Sequence, residues 1–258
     1  MYSYFGTVLE TIFAIKIISM CKMKVEIWSD LISPYCYMAK KNFESALAQF
    51  PHKDQVEVIM RSFPLFPEFE AKAGMTFPDM LMADKGIDAA KAEQITTLAQ
   101  KLNVQFNTGI RLDRFVPANT AKAHRLLQFA RQYGKTEALE EILSRNALID
   151  GLNLESDELL IDAASKLNLP LDEVEKVLKS DLFEEQMTTD VLQALKRNVQ
   201  TLPFILMNEY HAVSGAQDVE VFLSALKNAF TEFEQNSTQE KSKCEKNKRE
   251  LCVDNNAS

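Results

Sequence analysis

The chain has 258 residues, of which 46% are hydrophobic and 26% are charged, and this is enough for a globular protein with a sizeable core. The net charge of -8 argues against a nucleic-acid partner, because there is no basic excess to neutralise phosphates. The sequence contains no GxGxxG, GxxxxGKS/T or HExxH motif and no paired CxxC, so neither a nucleotide-phosphate cradle nor a dedicated zinc site is expected. We therefore predict no metal and no bound cofactor.

Residues 1–22 are moderately apolar, but Glu10 and Lys16 interrupt them. The segment lacks the positive start and the small-residue cleavage site of a signal peptide, and it is too short and too charged to span a bilayer comfortably. We interpret it as an extension ahead of the domain, or as a stretch that precedes a start at Met23. A membrane partner is not expected.

The body of the chain opens with a β-α-β pattern. Residues 24–28 alternate between polar and apolar side chains at their start and include β-branched ones, which predicts a strand. Ser33 followed by Pro34 is a favourable helix start and predicts a helix from Pro34 to about Phe50. Residues 56–60 predict a second short strand.

From residue 64 to residue 198 the pattern is helical. Apolar residues recur at three- and four-residue spacing, and glycine or proline stands in the linkers. In residues 119–133, for example, one predicted face carries Ala123, Leu126, Leu127, Ala130 and Tyr133. The predicted helical segments are 76–85, 88–103, 119–133, 136–149, 156–167 and 171–197.

Strand character returns at residues 203–207, and a turn at Asn208-Glu209 leads into residues 210–213, which together predict a hairpin. A last helix is expected from about Asp218 to Phe233. The tail over residues 234–258 is rich in Asn, Ser, Lys and Glu, and we predict that it is disordered.

The order β-α-β, helical block, β-β-α supplies four strands and two helices, the minimum for a thioredoxin core. Neither end of the chain could bury a sheet face alone, so the two should pack together. We predict an α/β fold in which residues 23–64 and 199–233 form a thioredoxin-like core and residues 65–198 form a large all-helical insertion.

Ser33-Pro34-Tyr35-Cys36 stands where thioredoxin-like enzymes carry C-x-x-C, at the start of the first helix. There the helix dipole and free backbone N–H groups stabilise a thiolate and lower its pKa. These four residues alone leave two interpretations open, an altered active site or a serine helix cap followed by a small buried cysteine. In both, a hydroxyl replaces the attacking thiol, so no internal disulfide can form with Cys36.

Several segments together resemble the FrnE-like branch of the DsbA family, and the resemblance covers residues 24 to about 230. The segments, in chain order, are Ser29-Asp30-x-x-Ser33-Pro34-Tyr35-Cys36-Tyr37-Met38-Ala39-Lys40-Lys41, Arg61-Ser62-Phe63-Pro64-Leu65-Phe66-Pro67, Asn119-Thr120-x-x-Ala123-His124-Arg125-Leu126, Leu202-Pro203-Phe204 and Val213-Ser214-Gly215-Ala216-Gln217. The resemblance implies a catalytic site at Ser33 and Cys36, with Pro34 and Tyr35 beside them as residues that bind the substrate or glutathione.

The same resemblance implies that Pro203 is a cis-proline facing the active-site helix, and that it exposes the backbone of Leu202 to a bound peptide or to glutathione. It also places a carboxylate-binding segment at the start of the last helix, where a plain helix cap is equally compatible. Asp30 and Tyr35 would flank the site and shape access to it. We interpret His124 as a core histidine rather than a catalytic base. The implied carboxylate-binding residues are Ser214, Gly215, Ala216 and Gln217.

Kappa-class glutathione transferases and 2-hydroxychromene-2-carboxylate isomerases are related to this family and also carry serine at the position of Ser33. By that resemblance, the serine hydroxyl would hydrogen-bond the thiolate of bound glutathione. Three functions are therefore open, and we favour the first, an oxidoreductase of the DsbA family. They are a thiol-disulfide oxidoreductase acting through Cys36 alone, a glutathione-dependent transferase or isomerase using Ser33, and a thioredoxin-fold module that binds peptides without turnover.

Cys36 is the one cysteine of the predicted folded body, since Cys21, Cys244 and Cys252 fall in the predicted extensions. A lone internal cysteine does not make a disulfide framework and fits a reducing compartment, so we predict a cytoplasmic protein. Cys244 and Cys252 are interpreted as unpaired thiols of the tail. The expected partner is a thiol or a glutathione-linked substrate.

Overall fold

A four-stranded mixed sheet forms the centre of the computed structural model, which describes residues 22–254 apart from residues 71 and 73. The strands are β1 (Met23–Ser29), β2 (Val56–Ser62), β3 (Phe204–Met207) and β4 (His211–Ser214), in the order β2-β1-β3-β4. β1 pairs in parallel with β2 and antiparallel with β3. This confirms the predicted thioredoxin-like arrangement, in which the two ends of the chain share one sheet. The predicted extension before Lys22, with Cys21, and residues 255–258 lie outside the described residues.

The predicted hairpin is confirmed, because β3 and β4 pair antiparallel. Asn208 and Glu209 have φ angles of 48° and 65°. Two consecutive residues with positive φ are what a tight hairpin turn needs to match the twist of its strands, and asparagine tolerates that conformation well.

Two helices cover one face of the sheet. α1 (Pro34–Gln49) and α9 (Val219–Asp254) pack on each other and on the side chains that β1 directs to that face. Phe43 of α1 meets Phe222 of α9 edge to face, with ring centroids 6.0 Å apart. Burying this apolar surface fixes α1 across the sheet, and therefore fixes where its first turn lies.

The residues between β2 and β3 form a helical insertion with its own apolar core. In one place the sequence prediction was wrong, because the single segment expected over residues 171–197 is two helices. Phe183 takes a left-handed conformation with φ 69° at the break, and its ring packs on Phe129 with centroids 5.8 Å apart. This tertiary contact outweighs the helical pattern of the linker. The helices are α2 (Phe77–Lys85), α3 (Ala89–Phe106), α4 (Ala121–Arg131), α5 (Thr136–Leu148), α6 (Asp157–Lys166), α7 (Leu171–Leu178) and α8 (Glu184–Lys196).

The apolar face predicted for residues 119–133 is buried except at its end. Ala123, Leu126, Leu127 and Ala130 lie in the insertion core, whereas Tyr133 follows the last residue of α4 and is 41% exposed. The helix ends at Arg131, so Tyr133 no longer follows the helical spacing that placed it on that face.

A buried carboxylate ties the insertion to the other face of the sheet. Asp190 of α8 accepts hydrogen bonds from the Arg61 guanidinium at 2.9 Å, from the Ser62 backbone N–H at 3.0 Å and from the Gln128 amide at 2.6 Å. Its backbone carbonyl accepts the indole N–H of Trp28 at 2.9 Å. Since Asp190 is 1% exposed, these bonds replace the water that the carboxylate loses.

The last helix is longer than predicted. It continues to Asp254, where the sequence pattern predicts an end near Phe233 and a disordered tail. No glycine or proline follows Gly215, and the glutamates, glutamines and lysines of this stretch have good helix propensity, so nothing in the sequence stops the helix. Among the described residues, no helix combines the length and the apolar character needed to cross a membrane.

Candidate functional site

The candidate site is built around the first turn of α1. Ser33 is the N-cap residue, and its Oγ accepts a hydrogen bond from the backbone N–H of Cys36 at 3.3 Å, while Pro34 begins the helix. The Ser33 hydroxyl also contacts the Cys36 thiol, so its hydrogen reaches a second group only when it turns away from Cys36. A group that meets this hydrogen also meets the positive end of the helix dipole.

Cys36 lies one turn into α1 and is 3% exposed. Its Sγ accepts a hydrogen bond from the backbone N–H of Asp30 at 3.5 Å. Burial raises the pKa of the thiol to about 12, although the contacts with Ser33 and with the Asp30 N–H act in the opposite direction. The charges of Asp30 and Glu140 raise it further. Cys36 is therefore a protonated, shielded thiol at neutral pH.

Tyr35 connects the site to the insertion. Its hydroxyl donates to the backbone carbonyl of Ile95 in α3 at 2.7 Å, and burial raises its pKa. This bond holds α3 against the start of α1, beside Ser33. The hydroxyl of Tyr35 is thus already engaged, and what Tyr35 offers a ligand is its ring.

The structure brings Pro203 to the same end of the sheet as the start of α1. β3 runs antiparallel to β1 with Phe204 opposite Trp28, so Pro203 follows on beside Ser29. The peptide bond between Leu202 and Pro203 is cis. The Pro203 carbonyl accepts the N–H of Gly215 at 3.0 Å, which joins this turn to the segment after β4.

The predicted carboxylate-binding segment is placed differently from the expectation. Ser214 is the last residue of β4 and α9 begins only at Val219, so residues 214–217 precede the helix rather than open it. The carbonyl of Asp218 accepts the first backbone bonds of α9, and its carboxylate accepts the Gln105 amide at 3.1 Å. The carboxylate of Asp218 therefore already stands at this helix start.

Asp30 and His124 form a buried contact behind the site. The Asp30 carboxylate accepts the N–H groups of Ile32, at 3.4 Å, and of Leu65. Nε2 of His124 lies 3.5 Å from Asp30 Oδ1, and the two side chains are 2% and 0% exposed. Sequence reasoning treated Asp30 as a flanking residue and His124 as core. No local pattern could join them, because one follows strand β1 and the other lies on an insertion helix.

Lys40 is a second feature that sequence reasoning missed. Its ammonium group, 5% exposed, contacts Glu140, Glu141 at 2.9 Å and Glu44 at 3.3 Å. Burial alone lowers the pKa of a lysine, but the carboxylates of Glu140 and Glu44 outweigh it and raise the pKa of Lys40. This cluster clamps α1 to α5 of the insertion. Within the described residues, no group of three or more His, Cys, Asp or Glu side chains is placed to hold a metal ion.

Comparison with protein families identifies this architecture. The model of the DSBA-like thioredoxin domain matches residues 24–227. The chain belongs to the DsbA family. A probable DsbA oxidoreductase from Streptomyces coelicolor is 33% identical in sequence, with a TM-score of 0.73 over 81% of this chain and 91% of that one.

Two further solved structures show how widely this DsbA-family fold is shared. A 2-hydroxychromene-2-carboxylate isomerase is 16% identical with a TM-score of 0.59, over 84% of this chain and 98% of that one. The cytosolic disulfide reductase DsbM from Pseudomonas aeruginosa, solved with GSH, is 11% identical with a TM-score of 0.57, over 83% of this chain and 99% of that one. At these identities the likeness concerns the fold alone. No curated protein matches the chain.

Proposed function

We propose that this DsbA-family protein binds glutathione as its thiolate at the start of α1, and that it catalyses a transferase or isomerase reaction of a glutathione-linked substrate. The observation that carries the proposal is the pairing of a shielded Cys36, whose pKa burial raises to about 12, with a serine hydroxyl in the attacking position. A site built in this way cannot supply its own thiolate, but it can stabilise one that arrives with a ligand.

The chemistry follows from the cap geometry of Ser33. Its oxygen accepts the Cys36 N–H, and the proposal requires its hydrogen to turn from the Cys36 thiol to the glutathione sulfur. A charge-assisted hydrogen bond and a helix N-terminus together stabilise an anion by about 2 to 3 kcal/mol, which would lower the thiol pKa by about 2 units. Glutathione would then be largely ionised near neutral pH.

The same geometry bears on the other two functions. A thiol oxidoreductase acting through Cys36 alone needs a thiolate with a lowered pKa, whereas burial raises the pKa of this thiol. The third function, peptide binding near Pro203 without turnover, stays a prediction. A measurement of enzymatic activity distinguishes it from the proposed function. The isomerase and the GSH-bound reductase among the structural neighbours supply the ligand and reaction classes that the proposal brings to this chain.

Access to Ser33 is part of the proposal. Ser33 is 7% exposed, and Tyr35 holds α3 beside it through the carbonyl of Ile95. We place the activity in the cytoplasm, since Cys36 has no disulfide partner among the described residues and glutathione is abundant in reducing compartments.

Calorimetric titration with glutathione tests the proposal. The wild type is expected to bind saturably, and Ser33→Ala to bind about 10- to 100-fold more weakly, because a hydrogen bond to a charged group contributes about 1.5–3 kcal/mol. Cys36→Ala should bind like the wild type. Thr76→Ala is the matched control, because it removes a serine-like cap from α2 and leaves the site intact. Absence of saturable binding, or equal affinity in Ser33→Ala, would contradict the proposal.

A further inference from the structure

His124 is a buried histidine with unmet hydrogen-bonding capacity. It is 1% exposed, and neither Nδ1 nor Nε2 has a hydrogen-bond partner. Thr120, the N-cap residue of α4 and also 1% exposed, leaves its hydroxyl without a partner as well. Burying unpaired polar atoms costs free energy, so a histidine kept in this state calls for a role other than packing.

The charged group that faces His124 is Asp30. Its carboxylate is held by two backbone N–H groups, and among the described residues no lysine or arginine pairs with it. Three acids on or beside the neighbouring helices have basic partners in the structure. Glu140 of α5 pairs with Lys40, Asp190 of α8 pairs with Arg61 and Arg131, and Asp181 before α8 lies 3.5 Å from Arg125.

Asp30 also lies close to where the thiolate would form. Its backbone carbonyl accepts the N–H of Ser33 at 3.2 Å, and its backbone N–H donates to Cys36 Sγ at 3.5 Å. A carboxylate in this tight turn repels a negative sulfur at the start of α1. Neutralising it would remove that repulsion in a site where burial makes charge interactions strong.

We propose that His124 takes up the proton that glutathione loses when it binds at Ser33. The S–H bond breaks and an N–H bond forms at Nε2 of His124, so the imidazolium pairs with Asp30 and the net charge of the site does not change. His124 does not touch the sulfur, and its imidazolium acts on the sulfur by neutralising the charge of Asp30. This inference rests on the proposed function and adds a proton acceptor to it.

The protonation state of His124 tests the inference directly. Histidine labelled with ¹⁵N is followed by NMR at constant pH, with His52 and His211 as internal references and His124→Gln to assign the signal. The expected result is a neutral ring in the free protein, a protonated ring with glutathione and no change with S-methylglutathione, which has no thiol proton. A ring that is already protonated without ligand, or that stays neutral with glutathione bound, would overturn the inference.

Proton counting by calorimetry gives a second readout. Glutathione binding is measured in two buffers that differ in ionisation enthalpy. The wild type should release no proton on binding. His124→Gln should release about one proton and bind glutathione about tenfold more weakly at neutral pH. Thr120→Val, the matched control, should release none. Equal proton counts in wild type and His124→Gln would overturn the role of His124 but leave glutathione binding intact. Absence of binding by the wild type would overturn both.

Discussion

Lys40→Met is expected to lower the free energy of unfolding by about 3–5 kcal/mol, the range for breaking a buried ion pair by removing one partner. Lys40 is the cation at the centre of the cluster that joins α1 to α5, and its loss leaves Glu140, 4% exposed, without its counter-charge. Glu141, 28% exposed, and Glu44 would repel Glu140 in the same small volume. Urea denaturation followed by circular dichroism measures the change, with the slope m checked for constancy.

Two comparisons isolate the buried charge. Lys41→Met removes the neighbouring cation, which is 36% exposed, and should cost less than about 1 kcal/mol. The double variant Lys40→Met/Glu140→Leu should recover most of the stability, because a well-packed apolar pair can replace a buried ion pair. A Lys40→Met protein as stable as Lys41→Met would contradict the stabilising role of Lys40 between α1 and α5.

Cys36 is expected to react with iodoacetamide at least about 1,000-fold more slowly in the native protein than in urea at pH 8. Only the thiolate reacts, and a pKa of about 12 leaves about 1 thiol in 10,000 ionised at that pH. Peptide mass spectrometry follows Cys36 separately from Cys21, Cys244 and Cys252. Each of those three thiols serves as a reference in the same sample.

The outcome separates two mechanisms for the site. Slow native labelling that keeps rising beyond pH 10 fits the buried thiol. Rapid labelling at pH 7 that levels off at low pH would show an activated thiolate, and would support redox chemistry through Cys36 alone.

The raised pKa of Cys36 also predicts the sign of a pH effect on stability. The folded state keeps the thiol proton to a higher pH than the unfolded state does. The contribution of the protonated thiol to the free energy of unfolding is therefore complete below the ordinary thiol pKa and is lost as the pH rises from about 9 toward 12. Wild type should lose stability relative to Cys36→Ala over this range.

Local sequence patterns predict most of the fold. Strand periodicity locates β1 and β2, and the Ser33-Pro34 pair locates the start of α1 within one residue. The errors occur where long-range packing decides the structure, as at Phe183, or where composition is ambiguous between disorder and a polar helix, as beyond Phe233.

The candidate site is likewise predictable from the sequence only in part. The positions of Ser33 and Cys36 on α1 follow from a motif of four residues. Whether Cys36 is reactive depends on its burial in the folded chain, which no motif encodes. The contact of Asp30 with His124 and the contact of Lys40 with Glu140 join segments far apart in the chain, so a single sequence carries no signal for them.

The ionisation state of bound glutathione tests the central claim most directly. The ultraviolet absorbance of the thiolate is recorded while glutathione is titrated into the protein at a pH about 2 units below the ordinary thiol pKa of ~8.5, where about 1% of free thiol is ionised. With Cys36→Ala as the background, a thiol pKa lowered by about 2 units predicts a thiolate signal that saturates at about one half per protein and disappears in Cys36→Ala/Ser33→Ala. Glutathione that binds without a thiolate signal, or a signal that survives loss of the Ser33 hydroxyl, would contradict it.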